Sequence, residues 1–227
     1  MDLKIAAVVP TVHYELLAEL LKCIEAGTRK PDMLFIIDNS KEGVLTVPYT
    51  GAVEIIRGQN PLTVNESWNI GRQLASDYDV VSFLNDDILV GDMFFQNIET
   101  AFSKIYSLGG DGGVVCPATT KNISVWARRS QPNTTPGVYD KMRAREGWAF
   151  SISREALDAC PLIPIASMRT FCGDDWIWHF TRKAGFDWYK DLDNLIYHAV
   201  GKTVKTEKVR QTLKAERREL NRLIGES

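Results

Sequence analysis

The chain has 227 residues, of which 44% are hydrophobic, 10% aromatic and 25% charged, a composition that excludes a disordered or fibrous protein and fits one globular domain. A chain of this length buries about 70% of its unfolded surface, so it needs no disulfide or metal staple to fold. The net charge of −2 argues against binding nucleic acid through the whole surface. The charge is uneven, however: from Lys202 to the end there are eight Lys or Arg against four Glu, a surplus of +4 that leaves −6 on the rest. Cys23, Cys116, Cys160 and Cys172 form no CxxC pair, so neither a zinc site nor a disulfide framework is expected, and a reducing, cytoplasmic location is. The opening MDLKIAAVVPTVHYE reads as a strand ending at Pro10 and not as a signal peptide. No stretch approaches the roughly 18 apolar residues of a membrane span.

In chain order, the apolar run Leu3 to Val9 predicts a strand buried on both faces. Tyr14 to Ala26 sets Leu16, Leu17, Leu20, Leu21 and Ile24 on one helical face and stops at Gly27. Met33 to Ile37 and Val53 to Ile56 are further strands, the first stopped by Asp38-Asn39-Ser40. A helix covers Thr63 to Ala75, a strand Asp79 to Leu84, and a helix capped by Asp92 carries Phe94, Phe95, Ile98, Ala101, Phe102 and Ile105. Gly113 to Cys116 is a strand, and the polar stretch Thr119 to Gly147, with Arg128, Arg129, Arg143 and Arg145, is a loop of a length that points to a functional or a mobile segment. A strand at Trp148 to Ile152 runs into a short helix at Arg154 to Ala159. A helix over Asp174 to Ala184, a strand over Leu195 to His198 and an amphipathic helix over Thr206 to Ile224 complete the chain. The alternation of strands and helices predicts a single α/β domain with a mainly parallel central sheet and helices on both faces.

Open parallel sheets bind ligands beyond the carboxyl ends of their strands. Three polar clusters fall there: Pro10-Thr11, Asp38-Asn39 and Asn85-Asp86-Asp87. Any one of them could serve as an ordinary turn. Adjacent carboxylates at Asp86 and Asp87 repel unless something positive lies between them and a ligand. A divalent cation bridging carboxylate and phosphate oxygens meets that need. No GxGxxG follows the first strand and no GxxxxGK[ST] occurs, which argues against dinucleotide and P-loop sites. Gly109-Gly110-Asp111-Gly112-Gly113 leads from a helix into a strand, the wrong order for a phosphate cradle. No GxSxG elbow marks a nucleophilic hydrolase.

The run IAAVVPTVHYELLAELLKCIEAGTRKPDMLFIIDNS resembles the opening of family 2-like glycosyltransferases with the GT-A fold. The resemblance continues through Asn60-Pro61, Asn69-Ile70-Gly71 and Asn85-Asp86-Asp87, which matches an Asp-x-Asp-type metal motif. It resumes at Gly147-Trp148 to Glu155 and at Gly173-Asp174-Asp175, and ends with His198 to Thr203. It covers residues 3 to 203 and divides the chain into a GT-A-like domain, 1–203, and a basic helical extension, 204–227. The resemblance implies that Pro10, Thr11 and Asp38 line the nucleotide site, with Asp38 accepting from a base N–H, and that Asn69 and Arg72 contact the nucleotide or diphosphate. It implies that Asp87 holds Mn2+ or Mg2+, with Asp86 beside it sharing the metal or the nucleotide, and that His198 completes the metal shell. Asp174-Asp175 stands where many members carry Glu-Asp, which leaves either aspartate as catalytic base and favours Asp175.

The chemistry of these residues agrees with those roles. Sugar transfer needs a leaving diphosphate stabilised, which a metal supplies. It also needs a carboxylate to take the acceptor's proton. Aspartates at a helix start also cap helices, and Trp148 is either a core residue or an acceptor platform. The expected activity is a metal-dependent, inverting transfer from a UDP-sugar to a hydroxyl. The acceptor is open among modified DNA, polysaccharide, lipid and protein. The basic C-terminal helix is a docked amphipathic element, a site for a polyanion such as DNA, or a homo-oligomer contact. The rival readings are a sugar-phosphate nucleotidyltransferase and a catalytically silent binding module on the same fold.

Overall fold

The computed structural model describes residues 2–41, 43, 46–58, 60–129, 139–141, 147–198 and 207–225. Its elements run β1 (Ile5–Thr11), α1 (Tyr14–Ala26), β2 (Met33–Asp38), β3 (Val53–Ile56), α2 (Val64–Leu74), β4 (Val80–Leu84), β5 (Ile88–Leu89) and α3 (Phe94–Ser107). They continue with β6 (Val114–Thr120), α4 (Ile123–Arg129), β7 (Tyr139–Lys141), β8 (Ala149–Ser153), α5 (Arg154–Asp158), α6 (Gly173–Lys183), β9 (Trp188–His198) and α7 (Glu207–Ile224). β1, β2 and β4 are apolar along nearly their whole length because both faces of the sheet are covered.

The sheet order is β3-β2-β1-β4-β8-β6-β9-β5, with β7 added on β9. The pairs β1–β2, β2–β3, β1–β4 and β6–β9 are parallel. The pairs β4–β8, β6–β8, β5–β9 and β7–β9 are antiparallel. The sheet is therefore mixed, which corrects the expectation of a mainly parallel one. The regular alternation with helices ends at α3. β8 then enters between β4 and β6 from the opposite end, and no helical crossover forces it parallel.

Helices cover both faces. On one, Leu17, Leu20, Leu21 and Ile24 of α1 and Phe95, Ile98 and Phe102 of α3 pack against Ile5, Val9, Leu34 and Leu84. On the other, Trp68 of α2, Trp176 and Ile177 of α6 and Leu220 of α7 close over Val8, Phe83, Phe150 and Ile152. Trp68, Phe83 and Phe150 form a ring cluster with centroids 5.2–5.6 Å apart. Each such fully buried side chain contributes about 1.5–3 kcal/mol relative to exposure.

Four expectations change in detail. α3 begins at Phe94, with Met93 at the N-cap and no side-chain cap; the Asp92 carbonyl accepts from the Thr28 N–H at 2.8 Å. The stretch expected as one loop contains α4 and β7. β9 starts at Trp188, well before the expected Leu195. β5, two residues long, follows the Asp86-Asp87 turn directly. Arg143, Arg145, the side chains of Arg128 and Arg129, and residues 199–203 lie outside the described residues.

Candidate active site

The sheet turns in opposite directions from β1, to β2 and β3 on one side and to β4 on the other, the arrangement whose strand ends flank the ligand crevice of open α/β sheets. Thr11, the last residue of β1, is the register partner of Asp38 at the end of β2. Across the crevice, Asp86 Oδ2 accepts from the Thr11 hydroxyl at 2.8 Å and from the Val12 N–H at 3.3 Å. Burial pushes the Asp86 carboxyl above the usual range, an effect the Thr11 hydroxyl partly offsets. Asp86 thus ties the ends of β1 and β4 together.

Asp87 faces the other way. Because Ile88 of β5 pairs with His198 of β9, the residue before Ile88 comes beside the imidazole. Asp87 Oδ1 lies 3.4 Å from His198 Nε2. Both Asp87 Oδ1 and His198 Nδ1 are buried without a hydrogen-bond partner. The Trp148 ring stacks on His198, centroids 5.2 Å apart at 28°, and its Nε1 donates to Thr119 Oγ1 at 2.8 Å. Trp148 is fixed next to Asp87 because its carbonyl accepts from the Asn85 N–H at 2.9 Å.

The two aspartates of α6 diverge. Asp174 is half-buried, and its carboxylate lies over Gly147, where a Cβ would sit only 2.6 Å from Oδ2. That puts it next to Trp148. Asp175 is buried, and its Oδ2 pairs with Arg217 Nη2 of α7 at 2.5 Å.

No family model matches the sequence, and no curated protein matches it. Among solved structures, the fold is similar to GalNAc-T7 crystallised with UDP, GalNAc and Mn2+. The TM-score is 0.66 at 14% identity, over 86% of this chain and 44% of that one. It is also similar to S. aureus TarS 1-349, with a TM-score of 0.67 at 13% identity, over 97% of this chain and 64% of that one. The chain has the GT-A fold. It spans less than two thirds of the length of either similar chain.

Two of the residues at these strand ends could hold a divalent cation. Asp87 and His198 offer a carboxylate and an imidazole side by side, with orphaned buried atoms on both. Among the described residues no group of three or more His, Cys, Asp or Glu side chains is arranged to hold a metal ion. A two-ligand site that draws its remaining ligands from substrate phosphates and water suits Mn2+ or Mg2+.

Asp38 in this GT-A chain is already engaged. Its Oδ1 accepts from the Ser40 N–H at 2.9 Å and the Ser40 hydroxyl at 2.6 Å, and its Oδ2 pairs with Arg57 Nη1 at 2.9 Å. A nucleobase N–H would share an oxygen with these donors. Pro10 lies within β1, one residue before Thr11. Asn69 and Arg72 are not drawn into the Asp87–His198 cluster. The Asn69 side chain donates to the Ile163 carbonyl at 2.9 Å and accepts from the Ile163 N–H at 3.0 Å. Arg72 sits against the Cys160 thiol, where burial pushes its guanidinium down. Both line a small cavity with Trp68 and Ile177, under α2 and α6.

Three residues engaged around these elements escaped the reading of the sequence: Arg57 on Asp38, and Asn65 and Glu216 on the segment ahead of α6. Glu216 did leave a signal. It interrupts the apolar stripe Val209, Leu213, Leu220, Leu223 of α7, and a carboxylate on a buried stripe demands partners. It is buried and accepts from the backbone N–H groups of Thr170 and Phe171. Among the described residues, no helix is long and apolar enough to cross a membrane.

Proposed function

We propose that the protein transfers a sugar from a nucleoside diphosphate donor, a UDP-sugar in the first instance, to an acceptor hydroxyl. The observation that carries this reading is the Asp87–His198 pair, 3.4 Å apart, with Thr11 and Asp38 at the adjoining strand ends. Mn2+ or Mg2+ held by Asp87 and His198 would neutralise charge on the departing diphosphate. Asp86 holds Thr11 and the β1 end in place, which shapes the nucleotide side of the crevice. The solved GalNAc-T7 complex, with UDP and Mn2+, supports the choice of donor and metal.

In the transfer, the acceptor oxygen bonds to the anomeric carbon while the bond from that carbon to the diphosphate oxygen breaks. The hydroxyl proton passes to a carboxylate, and a single displacement of this kind inverts the anomeric centre. The burial of Asp175 and its pairing with Arg217 favour Asp174 as that base, against the order suggested by the sequence alone. Trp148, stacked on His198, orients the imidazole and borders the acceptor side. The exposed Lys208, Arg210, Lys214 and Arg218 of α7 favour a polyanionic acceptor.

Calorimetry of UDP with and without Mn2+, on the parent and on Asp87→Ala, tests the reading. Binding should need the metal and disappear in the variant, and a panel of UDP-sugars should then show turnover. Equal UDP affinity in the presence and absence of metal would remove it.

A further inference from the structure

α6 starts from a strained corner. Cys172, immediately before it, has φ 61°, the only positive φ at a non-glycine among the described residues. A side chain in this left-handed conformation is strained and persists only where its surroundings hold it. The preceding segment, Met168 to Phe171, is held from two sides.

From α2, Asn65 Nδ2 donates to the carbonyls of Met168 and Phe171, both at 3.0 Å, and the Asn65 N–H donates to the Arg169 carbonyl at 3.1 Å. The Asn65 Oδ1 packs against Gly173 so closely that a Cβ there would be 2.2 Å away. From α7, Glu216 Oε2 accepts from the Phe171 N–H at 2.6 Å and the Thr170 N–H at 3.1 Å. Asn65 satisfies the carbonyls of the corner, and Glu216 its N–H groups. The next residue on α7, Arg217, pairs with Asp175. A carboxylate just ahead of the α6 N-terminus also complements the positive end of that helix.

We propose that Glu216 is a positioning residue for the transfer, holding the Cys172 corner so that Asp174 at the start of α6 is presented to the crevice beside Gly147 and Trp148. This rests on the glycosyltransferase reading above. It gives the C-terminal helix an inner task that is separate from its basic outer face. Glu216 touches no reacting atom and acts only through the backbone of 170–173.

The test compares Glu216→Ala and Glu216→Gln with the parent in the full chain. Gln keeps an acceptor oxygen for the two N–H groups, whereas Ala keeps none. Glu216→Ala should lower kcat by about 10- to 100-fold, as small misplacements of a reacting group do. UDP–Mn2+ affinity by calorimetry and the donor KM should stay at parental values, and Glu216→Gln should restore most of kcat. Should Glu216→Ala fail to fold, Glu216→Asp, which draws the carboxylate back by one methylene, is read in the same way. An unchanged kcat, or a loss of UDP–Mn2+ affinity as large as the loss of kcat, overturns the proposal. If the parent transfers no sugar, the functional reading fails on its own account. Hydrogen exchange then reads the corner directly: amides of 170–176 should exchange faster in Glu216→Ala with those of β4 unchanged, and equal exchange overturns the clamp.

Discussion

Asp174 and Gly147 lie so close that only a hydrogen fits on the Gly147 α-carbon beneath the carboxylate, since a Cβ would come within 2.6 Å of Oδ2. The glycine thus sets where the aspartate rests. Gly147→Ala should push the carboxylate aside and lower kcat by about 100-fold. Because Cγ and Cβ of Asp174 would also be crowded, at 2.7 and 3.0 Å, the start of α6 has to shift as well and thermal stability should fall. Asp174→Asn should lower kcat by about 10²–10⁴-fold with little change in donor KM, the signature of a lost proton acceptor. Steady-state kinetics on both variants checks this. Parental kcat in Asp174→Asn would move the base elsewhere.

Asp175 should behave as an anchor. Arg217→Met leaves a buried carboxylate short of its cation and should cost on the order of 1–3 kcal/mol. Asp175→Asn in the Arg217→Met background should return part of that loss, because the neutral amide no longer needs a counter-charge. Denaturant melts of the two single variants and the double variant measure the coupling. Strict additivity would mean that the pair does not hold α7 to α6.

The two aspartates after β4 should separate cleanly. Asp86→Ala breaks the link to Thr11 and Val12 and should lower stability by about 1–2 kcal/mol. Asp87→Ala removes a carboxylate whose Oδ1 has no hydrogen-bond donor, so the metal-free protein should melt at or above the parental temperature. Thermal melts in EDTA distinguish them. A large destabilisation by Asp87→Ala would make that residue a structural one.

Asp191 offers a pH test away from the crevice. It is 1% exposed, and burial pushes its carboxyl up from 3.8 to about 6, although its Oδ1 accepts from the Asp193 and Asn194 N–H groups. With the folded value raised, the folded state keeps a proton that the unfolded chain releases from about pH 4 upward. Stability therefore falls as pH rises from about 4 to 6, and the full cost, on the order of 2–3 kcal/mol, is present at pH 7. Asp191→Asn should raise the melting temperature at pH 7 and do much less at pH 4. An equal shift at both values would show that ionisation of Asp191 does not weaken the fold.

The parallel centre was legible because β1, β2 and β4 are short apolar runs, buried on both sides, each ending in polar residues. Strand direction was not, since nothing in Ala149-Phe150-Ser151-Ile152-Ser153 records which way it enters the sheet. β5 and β7, of two and three residues, are too short for any period to show. At the site, Asp86 and Asp87 could be singled out from the sequence, but not their opposite orientations, which follow from Thr11 on one side and the β5–β9 pairing on the other. The partner of Asp175 was out of reach for a similar reason: the cation that pairs with it comes from α7, a long way off in the chain. Arg57 and Asn65 carry no local pattern at all, because their meaning lies in the partners that the fold brings to them.

The irregularity in β9 has a bearing on how this chain tolerates change in length. Pairing with β6 jumps there, with Pro117 opposite Asp191 and Ala118 opposite Leu195, so Leu192, Asp193 and Asn194 have no register partner on β6. A residue added or lost among these three leaves Leu195 to His198 free to keep their alignment. The same change after Leu195 would turn His198 to the reverse side of the sheet, because side chains alternate with a period of two. Insertions and deletions should thus accumulate in the slack before Leu195, while the four residues that follow keep a fixed count.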